Sequence, residues 1–203
     1  MVYPEINMTR KYELKQRADA MEETRLRITE AAMELHGSVG PARTTVTAVA
    51  ERAGVQRHTV YRHFPTEAEL FASCSGHYAA LHPWPDTGVW SRIEDPRERL
   101  ATGLDELYRW YEETGEMWTR ILRDRELVEA IEPSLQPFYD YLSSCAGTLS
   151  AGWGRRGRRR RVFEAAIRHA VEFSTWQSLM RSGDIARSEA VSLMTALATA
   201  SAS

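Results

Sequence analysis

This 203-residue chain contains no apolar run near the ~18–20 residues that a helix needs to cross a membrane. Its N-terminus is polar and charged, which is not the pattern of a secretory signal. The only cysteines, Cys74 and Cys145, show neither metal-ligand spacing nor a disulfide framework. These absences predict a reduced, cytoplasmic protein that has no membrane partner.

Recognisable catalytic motifs are also missing. The chain has no nucleophile elbow, no glycine-rich phosphate loop and no metalloprotease signature. Cys74, His77 and His82 lie near one another in sequence, but a predicted helix end and a proline break separate them. A zinc site needs three or four ligands in fixed geometry. We therefore predict no catalytic residue, no metal, no cofactor and no enzymatic activity.

Strand-like alternation of apolar and polar residues is absent as well, whereas helical spacing recurs along the chain. Pro96 begins one predicted helix that we expect Gly115 to end, and a second follows from Met117. The longest predicted helix covers residues 162–181, and Ser188 caps the last one. The sequence therefore predicts an all-α fold.

Residues 44–71 predict two short helices joined by a tight turn. Thr45 precedes the first helix as an N-cap, and Gly54 follows it where a left-handed backbone costs least. The apolar face of this helix consists of Val46, Val49, Ala50 and Ala53. The second helix, residues 56–63, keeps Val60 inward. Its remaining faces carry hydrogen-bonding or cationic side chains, namely Arg57, His58, Thr59, Tyr61 and Arg62.

The charge of this segment differs from that of the whole chain. The formal net charge is −2, so any affinity for nucleic acid has to come from local patches. Between residues 43 and 64 four arginines stand against Glu51 alone, namely Arg43, Arg52, Arg57 and Arg62. This is a local basic surface of the kind that attracts a phosphate backbone.

The segment resembles the helix-turn-helix of the TetR (tetracycline-repressor) family of transcriptional regulators. The resemblance rests on the Thr44-Thr45 pair, Ala50, Gly54-Val55, Tyr61-Arg62-His63-Phe64 and Leu70-Phe71. The preceding stretch 27–40 resembles the family's first helix, with Ile28, Ala31, Ala32 and Leu35 at helical spacing.

The resemblance implies an N-terminal three-helix head that binds DNA and a C-terminal helical body that binds a ligand and dimerises. It predicts residues 1–23 as an N-terminal extension, 24–71 as the DNA-binding domain and 72–203 as the effector-binding and dimerisation domain. Residues 1–23 are either a frayed tail or helical extension in solvent, or a basic arm on DNA. The function implied is that of a repressor, which binds a palindromic operator as a homodimer and is released by a small hydrophobic or aromatic effector.

The second helix of the motif is the predicted DNA-reading element, with Arg57, His58 and Thr59 near base edges. The full predicted set for DNA is Thr45, Thr47, Gln56, Arg57, His58, Thr59, Tyr61 and His63, with Tyr61, His63 and Thr45 directed at phosphates. One departure from the family is Glu67, where many members carry a phosphate-binding lysine, so that contact is not expected here.

An aromatic group in the body predicts an effector pocket, although each ring taken alone fits an ordinary core residue equally well. The predicted lining residues are Leu107, Trp110, Tyr111, Trp118, Phe138, Leu142, Phe173 and Trp176. Trp110 and Trp118 are the preferred walls, with Gly115 expected to turn the chain between them. Four nearby glutamates suggest a cationic ligand as one option, namely Glu106, Glu112, Glu113 and Glu116.

The last two helices, 162–181 and 188–200, are the predicted dimer interface, because the first is apolar around most of its circumference. Residues 155–161 contain six arginines in seven residues, and we interpret them as a solvated loop between body helices. Two other function classes stay open: a helical protein-interaction adaptor and a small helical enzyme without a recognisable motif.

Overall fold

A computed structural model of the chain describes residues 5–200, and residues 5–10 by their backbone alone. Residue contacts group the chain into two compact units. The first unit contains the chain up to Leu81 together with Thr119–Ser134, and the second contains His82–Trp118 together with the chain from Leu135 onward. The predicted domain boundaries at residues 23 and 71 stay predictions, because compactness alone does not define a functional domain.

The described residues form helices and connections, and no strand occurs between residues 5 and 200. The all-α prediction is therefore confirmed. The helices of the first unit are α1 (Glu5–Ser38), α2 (Val46–Ala53), α3 (Arg57–His63) and α4 (Glu67–Leu81), with a 3₁₀ turn at Pro41–Arg43 between α1 and α2.

The core of the first unit forms where α1 packs against α2 and α4. Its buried apolar residues are Ile28, Ala31, Ala32, Val49, Ala50, Ala53, Val60, Phe64, Leu70 and Cys74. The side chains of residues 11–23 are all exposed, although the backbone there is one continuous helix with the rest of α1. The part of the predicted extension at residues 1–4 lies outside the described residues.

The second unit is also helical. Its elements are a short α5 (Thr87–Trp90), α6 (Pro96–Asp124), α7 (Ile131–Leu149), α8 (Gly157–Val171), a short α9 (Phe173–Trp176), a π-helical turn at Gln177–Ser182 and α10 (Arg187–Ala200). The last residues of α6 and the first of α7 belong to the first unit.

The predicted helix end at Gly115 is wrong, because α6 runs through it to Asp124. A Cβ placed on Gly115 would lie 2.5 Å from Cη2 of Trp176 and 2.9 Å from its Cζ3. Glycine is therefore present because the Trp176 ring packs directly on the helix backbone, and not because the helix stops there.

The single long helix predicted for residues 162–181 is wrong as well. α8 ends at Val171, Glu172 adopts an extended backbone, and α9 restarts at Phe173. Two buried tyrosines stabilise this break. The Tyr108 hydroxyl donates to the Ala170 carbonyl at 2.8 Å, and the Tyr111 hydroxyl donates to the Val171 carbonyl at 2.7 Å, both at the end of α8. Carbonyls freed by the end of a helix need such donors when they are buried.

The arginine run is not a loop along its whole length. Arg158–Arg161 lie in the first turn of α8, where they are exposed. Arg155 is half-buried, with its guanidinium carbon 5.1 Å from the ring centroid of Phe163 and 5.7 Å from that of Trp153. The run is thus partly helical surface and partly a cation held over two rings.

Candidate functional site

The turn between α2 and α3 has the local geometry that the sequence predicts. The Thr45 hydroxyl accepts a hydrogen bond from the Ala48 amide at 3.1 Å, which caps the N-terminus of α2. Gly54 ends α2 with φ 66° and ψ 36°, a left-handed conformation that favours glycine. The next amide, of Val55, donates to the Ala50 carbonyl at 2.9 Å. These contacts fix the direction in which α3 leaves the turn.

α3 buries one face and exposes the others. Val60 is 1% exposed and anchors the helix in the core of the first unit. The predicted DNA-binding residues that lie at least partly at the surface are Thr45, Thr47, Gln56, Arg57, His58, Thr59 and Tyr61. Tyr61 is 49% exposed, so part of its ring and its hydroxyl face the solvent.

His63 is the one member of the predicted set that lies inside. It is 8% exposed, because it stands three residues after Val60 and so shares the buried face of the helix. Burial, together with the neighbouring guanidinium groups of Arg62 and Arg25, holds the pKa of His63 below its usual value of 6.5. Its ring is therefore neutral at pH 7 and does not add to the basic surface.

Arg25 has a role that no local sequence pattern predicts. Its guanidinium donates to the His63 carbonyl at 2.7 Å and lies 4.1 Å from the ring centroid of Phe64. It therefore ties α1 to the C-terminal end of α3, where backbone carbonyls lack helical partners. Only the three-dimensional proximity of residues far apart in sequence reveals this contact.

The basic surface is smaller than the arginine count indicates. Arg52 donates to Glu34 of α1 at 2.6 Å, so its charge is already paired. Among the exposed arginines of the segment this leaves Arg43, Arg57 and Arg62 to face a polyanion.

In the second unit the predicted effector residues do come together. All eight are buried, with exposures of 9% or less. The ring centroids of Trp118 and Phe138 are 4.0 Å apart and stacked, and Trp110 lies 5.9 Å from Trp118 and 6.1 Å from Phe138. We call Trp110, Tyr111, Trp118, Phe138, Phe173 and Trp176 the ring cluster.

Ring contacts within the cluster also join α6 to α9. Tyr111 lies 5.2 Å from Phe173 in an edge-on arrangement and 5.8 Å from Trp176. Phe173 and Trp176 are 5.1 Å apart. The cluster thus packs as a continuous set of rings, and edge-on and offset contacts of this kind add stability beyond that of buried area.

Most polar groups at the ring cluster have protein partners, but two do not. The indole of Trp110 donates to the His82 carbonyl at 3.2 Å. The indole nitrogens of Trp118 and Trp176 are buried and have no protein acceptor within hydrogen-bonding distance. An unpaired buried donor costs about 1–3 kcal/mol, so a pair of them in one cluster is unusual.

Three of the four glutamates near the cluster have cationic or polar partners. Glu112 is paired with Arg187, Glu116 accepts from Arg181 at 2.6 Å, and Glu106 accepts from the Trp90 indole at 2.6 Å. The ion pairs of Glu112 and Glu116 offset part of the negative charge that a cationic ligand would meet.

Other site types have weaker support in the described part of the chain. In residues 5–200 no helix combines the length and apolar composition of a membrane-spanning segment. Among the same residues no three His, Cys, Asp or Glu side chains converge as metal ligands would. A surface groove of 440 Å³ is lined by residues outside the predicted DNA and effector sets, namely Asp95, Arg97, Glu98, Ala101, Val191, Ser192 and Thr195.

Comparison with known proteins gives matches to transcriptional regulators. Residues 28–74 match the family model described as bacterial regulatory proteins, tetR family. An HTH-type transcriptional repressor of Mycobacterium tuberculosis is 30% identical over 118 residues, which are 55% of this chain and 61% of that protein. An HTH-type transcriptional regulator of Mycobacterium bovis matches to the same extent. The chain therefore spans 61% of the length of these curated relatives.

Solved structures agree on the fold. A TetR-like transcriptional regulator from Rhodococcus sp. RHA1 superposes with a TM-score of 0.62 at 18% identity, covering 86% of this chain and 93% of that chain. A TetR transcription regulator from Haloarcula marismortui gives 0.55 at 15% identity, covering 89% of this chain and 97% of that chain. At such low identity the likeness establishes the fold alone. The relatives named here are regulators, and none is described as an enzyme.

Proposed function

Because residues 28–74 match the family model of bacterial regulatory proteins, tetR family, we propose that this chain is a member of that family and a DNA-binding transcriptional regulator that acts as a repressor. The observation that carries the proposal is α3 itself. Its apolar side is anchored by Val60 while its polar side chains stay exposed and unused by the fold. A protein with this function acts in the cytoplasm, where the operator DNA is.

We assign base contacts to the N-terminal half of α3 and phosphate contacts to its surroundings. Arg57 offers a guanidinium that fits the two acceptors of guanine, and Thr59 offers a hydroxyl and a methyl group. We assign His58 and Thr47 to base contacts and Tyr61 to a phosphate contact, with Gln56 completing the surface. The Thr45 hydroxyl oxygen accepts the cap bond of α2, while its O–H hydrogen can still donate to a phosphate. His63 is left out because its ring is buried.

The proposed oligomer is a homodimer formed through α8 and α10. Two leucines of α10 support this assignment, because Leu193 is 40% and Leu197 is 53% exposed. Val162 of α8 is 44% exposed. Burying these side chains against a second copy removes apolar area from water, and a two-fold dimer requires an approximately palindromic operator.

The proposed signal is a small hydrophobic or aromatic molecule bound by the ring cluster of the second unit. Its support is the convergence of large rings and unpaired polar groups in one place. An effector that binds better to the form of the protein with low DNA affinity must weaken operator binding by the same coupling free energy.

Gel retardation with the DNA that flanks the gene tests the DNA assignment. Arg57→Ala is expected to lose ~1–3 kcal/mol of specific binding and to relax base preference, if its contact is bidentate. Tyr61→Phe is expected to weaken binding to all sequences, since it removes one phosphate contact. Arg109→Ala is the matched control, because that exposed arginine lies in the second unit beside Asp105.

Two results would overturn the DNA assignment. A parent protein that retards no duplex even at low salt, where nonspecific binding is strongest, contradicts the function. Arg57→Ala and Tyr61→Phe proteins that bind every sequence as the parent does contradict the choice of α3.

A further inference from the structure

We propose that the ring cluster binds a planar aromatic molecule bearing a carbonyl or carboxylate group, whose oxygens accept hydrogen bonds from the indoles of Trp118 and Trp176. This inference rests on the proposed function, since it names the chemistry of the effector. It follows from which donors the fold satisfies and which it leaves unpaired.

Three other indoles of the second unit donate to acceptors within the protein. Trp90 donates to Glu106, Trp110 to the His82 carbonyl, and Trp153 to the Leu149 carbonyl at 3.1 Å. The hydroxyls of Tyr108 and Tyr111 are likewise satisfied at the end of α8. Against this background Trp118 and Trp176 stand out, because they are 91% and 97% buried and still lack an acceptor.

The two unpaired indoles approach the same turn of α6. The six-membered ring of Trp176 packs on the backbone at Gly115, and Trp118 lies three residues further along the helix. Residues three apart on a helix are neighbours, with Cβ atoms about 5–6 Å apart. Both unpaired donors therefore belong to residues beside this turn of α6, and we place the proposed ligand there.

The rings around these donors select the ligand's shape. Trp118 stacks on Phe138, with the two ring planes inclined by 29°. A flat aromatic ligand can replace one partner in such a stack and keep its favourable offset contacts. A flexible aliphatic chain would lose that geometry.

The charges around the cluster select the ligand's polarity. An indole N–H can donate but cannot accept, so it favours oxygen acceptors and gives nothing to an ammonium group. Glu106, Glu112 and Glu116 are already engaged with Trp90, Arg187 and Arg181. The cationic ligand that the glutamates suggested is therefore disfavoured, and a neutral or anionic one is favoured.

The backbone beside Trp176 can accommodate the entry of a ligand. The rings are in contact with one another, so a ligand must displace part of the cluster. Trp176 lies between the break at Glu172 and the π-helical turn at Gln177–Ser182. Such turns make fewer regular helical hydrogen bonds and often adjoin functional sites.

Three probes of similar size separate the contributions. Calorimetric titration would use 2-naphthoate, naphthalene and 2-naphthylmethylammonium with the full-length protein. We expect 2-naphthoate to bind at least about tenfold more tightly than either of the others, which is the size expected for a hydrogen bond to a charged acceptor. Equal affinity for all three, tighter binding of the cation, or no binding of 2-naphthoate at millimolar concentration would overturn the inference.

Phenylalanine substitutions identify the donors. Trp118→Phe and Trp176→Phe keep an aromatic ring and remove the N–H, so each is expected to reduce the preference for 2-naphthoate over naphthalene by about tenfold. Trp153→Phe is the control, because its indole has a protein acceptor and lies outside the ring cluster. Preferences unchanged in both cluster variants refute the assignment. If Trp176→Phe does not fold, as judged by thermal unfolding, Trp118→Phe decides alone.

Gel retardation on the same preparations keeps the two proposals separate. A protein that prefers 2-naphthoate but retards no DNA retains the ligand assignment and loses the proposed function. A protein that retards DNA without any preference among the probes retains the function and loses the ligand assignment.

Discussion

Replacing Gly115 with alanine tests how α6 packs against Trp176. In the middle of a helix this change normally stabilises a protein by up to about 1 kcal/mol, because alanine has the higher helix propensity. Here the new Cβ would lie 2.5 Å from Cη2 of a Trp176 ring that is itself 3% exposed. Overpacking a buried site costs about 1–3 kcal/mol. We therefore expect Gly115→Ala to lower the free energy of unfolding by about 1 kcal/mol.

Gly147→Ala provides the matched comparison. Gly147 is also inside a helix of the second unit, but it is exposed and its added Cβ would have no atom within 4 Å. This variant is expected to be more stable than the parent by about 0.5–1 kcal/mol. Urea unfolding measures both, and the difference between them reports the steric cost alone. If Gly115→Ala raises the urea midpoint as Gly147→Ala does, the direct packing of Trp176 on α6 is refuted.

Three further predictions concern pH, assembly and the end of α6. Burial lowers the pKa of His36 from 6.5 to about 4. On acidification the unfolded state therefore binds this proton first, and the free energy of unfolding falls as the pH drops below 6.5. Urea unfolding should show that it falls by about 2 kcal/mol between pH 7.5 and 5.0, and His36→Phe should remove this loss. Leu193→Arg should convert the dimer into a folded monomer, as measured by sedimentation at micromolar concentration. Leu127→Arg should leave the dimer intact, because Leu127 lies in the first unit and is 73% exposed. A parent protein that is monomeric would contradict the proposed interface. Asp124→Asn weakens a buried acceptor of the Ala42 amide. It should lower the urea midpoint and reduce the free energy of unfolding by about 1 kcal/mol. An unchanged midpoint would show that this contact contributes nothing to stability.

The helix-turn-helix could be predicted from the sequence because its determinants are local. Thr45 caps through an amide three residues away, and Gly54 supplies a left-handed residue at the end of the same helix. Each depends on neighbours that the sequence itself specifies, so residue type and spacing were sufficient. The exposed surface of α3 followed from the same periodicity, apart from His63, whose ring falls on the buried face.

Where the sequence failed, the cause was a contact distant in sequence. Gly54 and Gly115 are the same residue type after the same kind of apolar stripe, yet one ends a helix and the other accommodates a ring from sixty residues away. The break at Glu172 is compensated by hydroxyls of α6, which no local pattern near Glu172 reveals. Arg25 was missed for the same reason, since its partners lie on α3.

The first unit contains a segment from the middle of the chain, and this limits how the protein can be taken apart. The Asp124 carboxylate accepts from the Ala42 amide at 3.0 Å, and Arg123 donates to the Val39 carbonyl at 3.2 Å, so the first half of the connection that precedes α2 is held by α6. A chimaera made by cutting after Leu81 would inherit the whole helix-turn-helix and none of these partners. Fusing the helix-turn-helix unit to the ligand-binding domain of another protein therefore requires residues 119–134 as well. The segment to be transferred is then discontinuous in sequence.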